Sequence, residues 1–226
     1  MAALAKVLDW LAATGTPKGL ADMARYGIPS AGAYGVPMGV LQTYAKSIGK
    51  DHDLALTLWD HGAYEAQTLA VLLADPARMT AAQSDVWATS FTNWAICDTA
   101  CFHLLDRTPD AWTRPALWAP QQAEFIRRAA FALIWALSVH DKSAPDTAFT
   151  ATFPLMQDVA ADPRPLVAKA IDMALRATGK RNRALNTAAI AFAQSLAISA
   201  DKPTRWIGTH AGRELQSPAV QARLNH

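Results

Sequence analysis

The stretch GKDHDLALTLWDHGAYEAQTLA, residues 49–70, decides the fold class. Asp51 stands just ahead of an apolar-periodic run, where a carboxylate can accept a hydrogen bond from an otherwise unsatisfied helix N–H. The sequence therefore predicts a helix capped by Asp51, running through Trp59 and ending near Gly62, with a partner helix at 63–74. The same punctuation extends outward in both directions. Residues 3–13 form a helix, and Thr16-Pro17 supplies an N-cap followed by proline at the first helical position, opening a helix to about Tyr26. GIPSAGAYGV (27–36) is a loop by its glycine and proline content, and Pro37 opens a helix that Gly49 closes. Further on, Thr80 to about Phe91 pairs with 93–106, 120–140 with about 147–160, and 164–178 with 183–199, before a short helical tail. No stretch predicts a strand.

The expected class is thus all-α. Pair starts at Asp51, Thr80, Pro120 and Arg164 are spaced 29, 40 and 44 residues, irregular but close to HEAT-like repeats. Such pairs stack into a superhelix, an α-α solenoid, here expected to have a concave basic face able to hold a long ligand. A compact helical bundle without repeats is the other arrangement this pattern allows. One domain over 1–226 is expected, with capping helices to about 48, repeat pairs over about 51–200 and a tail at 201–226.

Hydrophobic content of 51% supports a large core, and the eight tryptophans are expected mostly inside it. The two cysteines, Cys97 and Cys101, lie four residues apart on one predicted helix, which gives no disulfide framework and suits a reducing cytosol. No run reaches the roughly 20 apolar residues that span a bilayer, so no membrane is expected. Charge is uneven: residues 161–226 hold ten Lys and Arg against four acids, whereas residues 1–160 hold eleven against fifteen. A basic C-terminal third suggests an anionic partner, or simply a solvated surface.

Three clusters are candidates for chemistry. In NWAICD (93–98), Trp94 and Asp98 are four residues apart and share a helix face. An aromatic plate beside a carboxylate can hold a planar cation, and it is equally an ordinary way to bury a tryptophan. In EFIRRAAF (124–131), Arg127 and Arg128 point about 100° apart, so one can pair internally while the other faces a groove. In KAIDMALRATGKRNRAL (169–185), Lys169, Arg176, Lys180, Arg181 and Arg183 crowd a helix end that Gly179 caps, either complementing the helix dipole or contacting phosphates. Cys97, Cys101 and His103 fit no common zinc spacing, and His52, His61, His140 and His226 are scattered, so no metal is expected.

Taken in order, these stretches resemble the AlkD-type DNA alkylation repair family, whose members are built from HEAT-like repeats. The resemblance runs from about residue 35 to residue 215 and rests on 49–70, NWAICD, EFIRRAAF and VAKAIDMALRATGKRNRAL (167–185). It implies a monofunctional DNA glycosylase that removes N-alkylated purines of the 3-methyladenine and 7-methylguanine types. The implied partner is double-stranded DNA with alkylated bases, and no metal, cofactor or nucleophilic lysine is implied. It implies Asp98 as catalytic aspartate, Trp94 as its paired tryptophan and Arg128 as phosphate clamp, with Arg127 the runner-up. Arg127, Met173, Lys169, Arg176, Lys180, Arg181 and Arg183 are then expected to bind substrate, in a cytoplasmic monomer. Two positions depart from the family. Met173 stands where active members often carry a second tryptophan, and Gln67 where relatives commonly have a basic residue. A non-catalytic helical-repeat protein that binds DNA structures or a protein partner is the alternative.

Overall fold

The computed structural model describes residues 2–224, and every regular element among them is helical. His226 lies outside the described residues. The chain divides into two compact units, residues 1–110 and 111–226.

The first unit holds α1 (Ala2–Thr14), α2 (Pro17–Arg25), α3 (Met38–Ile48), α4 (His52–His61), α5 (Tyr64–Leu73), α6 (Ala81–Thr89) and α7 (Trp94–His103), then a 3-10 turn, Leu105–Arg107. Local chemistry sets these boundaries. Asp51 accepts from the Leu54 N–H, Thr16 from Gly19, and Asn93 from both Ala95 and Ile96. Thr80 and Gln83 form a reciprocal capping box. Gly62, at φ 82°, takes the left-handed conformation that closes α4 and turns the chain into α5.

Helices α4 and α5 make the hairpin read from residues 49–70, and α5 lies between α3 and α7 in a row. Helix α6 meets α4 through Trp87, stacked on Trp59 with ring centroids 3.9 Å apart. A fully buried acid in the first turn of α5 holds the loop between α2 and α3. Glu65 accepts N–H groups from Tyr34 (3.0 Å), Gly35 (2.6 Å) and Val36 (3.2 Å). The loop passes so close to α2 that a Cβ on Gly19 would sit 1.9 Å from the Gly35 carbonyl oxygen.

The second unit holds α8 (Arg114–Trp118), α9 (Glu124–His140), α10 (Asp146–Thr150), α11 (Phe153–Val159), α12 (Pro165–Thr178), α13 (Arg183–Ala197), α14 (Lys202–Leu215) and α15 (Pro218–Arg223). Helix α12 lies between α9 and α14, and α13 packs chiefly on α14.

Four expectations change here. The helix expected at 147–160 is two short ones, because Pro154 has no N–H to donate and is accepted only in a first turn. The helix expected from 120 begins at Glu124, and α8 precedes it. The tail contains a full 14-residue helix, α14, buried against its neighbours through Ile207, Ala211 and Leu215. Two of the expected pairings also do not hold, since α9 packs mainly on α12 rather than on the segment that follows it, and α13 mainly on α14 rather than on α12. Gly179 does cap α12, but its φ is −69°, so left-handed geometry is not the reason for glycine there. A Cβ would lie 2.7 Å from Leu215 and 2.9 Å from Ala189.

Gly208 marks the crossing of α14 over α13, where an added Cβ would fall 2.3 Å from the Ala197 nitrogen and 2.5 Å from the Ala193 oxygen. Gly208→Ala is expected to destabilise the protein by about 3 kcal/mol in urea unfolding. Gly39→Ala, in α3 with open space around it, is expected to stabilise it by up to ~1 kcal/mol.

Candidate functional site

In the first unit, the Asn93 side chain accepts the two N–H groups that start α7 and so places Trp94 at its first position and Asp98 one turn later. Both side chains are half-buried. The Trp94 indole Nε1–H donates to the Tyr26 carbonyl at 3.0 Å, which fixes the ring against the end of α2. Cys97 and Cys101 on the same helix are buried thiols outside any disulfide. Burial pushes the Cys101 thiol well above its usual range, with Cys97 adding to the shift, so it stays protonated and inert. Among the described residues, no three His, Cys, Asp or Glu side chains gather as a metal-ligand set.

In the second unit, the two arginines of EFIRRAAF do different work. Arg127 pairs with Asp162 (Nη1 to Oδ2, 2.7 Å) and donates to the Ala119 and Pro120 carbonyls at 3.1 and 3.3 Å. Arg128 is 3% exposed, and its Nη1 donates to the Leu166 carbonyl at 2.6 Å. That bond fixes the plane of a guanidinium that carries five N–H donors.

Met173, Arg176, Lys180 and Arg181 are brought together. They line one open groove of about 490 Å³ with Trp135, Ser138, Val139, Lys142, Ala177 and Arg223. Five of these side chains are cationic and none is acidic. The nearby acids sit behind the wall: buried Asp172 accepts from Arg176 Nε at 2.9 Å and contacts His210 Nδ1 at 2.8 Å, and Glu214 bonds Arg176 and Lys180. Burial pushes the Glu214 carboxyl up, but Lys180 and Arg176 outweigh it and hold it below its ordinary value. Arg181 lies over the Phe149 ring, 4.1 Å from its centroid, and donates to the Ser138 carbonyl at 2.7 Å.

Arg127, Lys169 and Arg183 do not line this groove. Lys169 is exposed on α12, and Arg183 is exposed and donates to Gln221 at 3.0 Å. Gln67, where the resemblance implied a basic residue, is buried. Sequence reading missed Trp135 and Lys142, which the end of α9 carries to the groove. Their one signal is spacing, since Trp135, Ser138, Val139 and Lys142 recur at three and four residues.

The family model described as DNA alkylation repair enzyme matches residues 7–215. Among solved structures, the chain is similar to one from a study of a new family of proteins related to the HEAT-like repeat DNA glycosylases, with affinity for branched DNA structures. The TM-score is 0.81 at 19% identity, over 98% of this chain and 95% of that one. That likeness shows the HEAT-like helical-repeat fold. No curated protein sequence matches the chain.

Asp162 anchors the double-arginine helix and is itself buried. Arg164 draws its carboxyl far below the usual carboxylate range, against the opposing effect of burial, and Arg127 adds to the pull. Because the folded-state value is depressed, the stabilisation is complete above the unfolded value of about 3.9 and is lost as pH falls toward the folded one. Asp162→Asn is expected to cost about 3 kcal/mol at pH 7, and its deficit against the parent is expected to shrink below about pH 4 in denaturant melts.

Proposed function

The chain belongs to the DNA alkylation repair enzyme family, and on that premise we propose that it is a monofunctional glycosylase removing cationic N-alkylated purines, of the 3-methyladenine and 7-methylguanine types, from double-stranded DNA. The observation that carries this reading is Trp94 and Asp98, half-buried one turn apart on α7, with the indole held by the Tyr26 carbonyl.

Alkylation at N3 or N7 leaves the purine positively charged, so the base departs with the glycosidic electron pair and becomes neutral. Positive charge then builds on the deoxyribose as an oxocarbenium-like centre. A carboxylate fixed beside that sugar stabilises the developing charge and orients the water that attacks C1′, taking up the water's proton or passing it to solvent. Trp94 supplies the apolar wall that excludes other water. Arg128, its plane set by the Leu166 carbonyl, is the phosphate clamp of this reading. The groove cations Arg176, Lys180 and Arg181, with exposed Lys169 and Arg183, hold the backbone. Met173 faces the substrate on the groove wall, and Arg127 is the runner-up for the phosphate contact. The leaving group is already activated, so the scheme uses no metal or cofactor. A monomer acting in the cytosol belongs to the same reading.

A second reading has its own support. Met173 replaces the flat π face that active relatives often offer, and the solved relative is described by affinity for branched DNA. A non-catalytic helical-repeat protein binding DNA structures fits both.

Release of 3-methyladenine and 7-methylguanine from methylated duplex DNA separates the two. Asp98→Asn is expected to slow release by at least about 100-fold while duplex affinity is retained. Met173→Trp is expected to speed release by the glycosylase. A parent protein that binds DNA and frees no base sinks the glycosylase reading and leaves the second.

A further inference from the structure

Outside the Trp94–Asp98 face, the first unit brings together two pairs of basic side chains, the pairs distant from each other in sequence. Lys46 lies in the last turn of α3, Lys50 just beyond it, His103 ends α7, and Arg107 ends the 3-10 turn. They line an open pocket of about 410 Å³ with Ala45 and Leu72, and no carboxylate is among the lining residues.

Cations at helix C-termini ordinarily complement the exposed carbonyls, and that accounts for part of this cluster. Lys50 Nζ donates to the Leu72 and Ala74 carbonyls at 3.0 and 2.8 Å, and Arg107 Nη2 to Phe102 at 3.3 Å. It does not account for the rest. Lys46 is exposed and makes no hydrogen bond or ion pair among the described residues. Asp106, which is buried, forms an ion pair with Arg107 at 3.8 Å and offsets part of its charge, and Asp75 opposes the lowering of the Lys50 amine. Burial, and after it the positive field of Arg107, hold the Lys50 amine below its ordinary value. Like charges are thus held together in a partly apolar recess, a strain that an arriving anion relieves.

The second unit repeats the pattern, with Lys142, Arg176, Lys180 and Arg181 at the C-terminal ends of α9 and α12. His103 follows Trp94 by nine residues, about 180° around α7, so this pocket and the Trp94–Asp98 face look in different directions. We propose that Lys46, Lys50, His103 and Arg107 form a binding site for a DNA backbone phosphodiester, separate from the base-excision face and giving the first unit its own hold on the duplex. This rests on the reading that the protein binds DNA.

The test is the slope of log K against log salt concentration for duplex binding between about 50 and 200 mM, which is steeper by close to 0.9 for each phosphate contact. Lys46→Gln combined with Arg107→Gln, which spares the Lys50 cap on α5, is expected to make the slope shallower by about 1 to 2. Affinity should fall equally for unrelated duplex sequences. Lys46→Arg with Arg107→Lys is expected to restore the parent slope. A parent slope in the Gln double variant, with parent-like melting, overturns the site while leaving base excision intact. So does a shallow slope that the charge-conserving pair does not restore, because the loss is then structural. A parent that binds neither duplex nor branched DNA overturns this site and the DNA-repair reading together.

Discussion

Close helix-to-helix approach through alanine underlies the rest of the structure. Helix α9 buries Ala129, Ala130, Ala132 and Ala136, and α12, its main neighbour, buries Ala168, Ala170 and Ala174. In the first unit Ala66 and Ala70 of α5 and Ala95 and Ala100 of α7 do the same. A methyl group fills little space, so the helix axes come close and long polar side chains on the same helices reach a neighbour's backbone. Arg128 bonding the Leu166 carbonyl is one result of that closeness. Larger side chains are placed where gaps remain, as with Phe131 and Leu133 on α9, both fully buried.

The buried charges follow from this packing. Glu65, Asp162 and Asp172 are all deeply buried, and each is met by fixed donors: three loop N–H groups for Glu65, two arginines for Asp162, an arginine and a histidine for Asp172. A buried carboxylate without such partners would cost several kcal/mol or take up a proton. Each acid instead anchors a segment next to a candidate site. Glu65 holds the loop that begins beside Tyr26, the residue whose carbonyl fixes Trp94. Asp162 holds the helix of the double arginine, and Asp172 holds Arg176 at the groove wall.

The candidate site was unevenly legible in the sequence. Trp94 and Asp98 were legible because both lie on one helix, where spacing alone sets their relative direction. Arg176, Lys180 and Arg181 were legible as a cluster for the same reason. Arg127 was not, since its partner is 35 residues away in sequence. Nor was the meeting of Lys46 with Arg107, which belong to different helices. The acids that temper the basic groove were equally hidden: Glu214 stands on a helix that the sequence pattern suggested was only a short tail.

The sequence by itself determined the helical class, most helix boundaries and the Trp94–Asp98 pair, because caps, proline positions and i,i+4 spacing act within a few residues of backbone. Tertiary structure alone decided that α12 lies between α9 and α14, that Arg127 and Arg128 hold internal partners, and that two basic pockets exist. Those outcomes depend on which helix faces pack together. Packing is selected by the summed fit of many small apolar contacts across the chain, and no local stretch of sequence carries that sum.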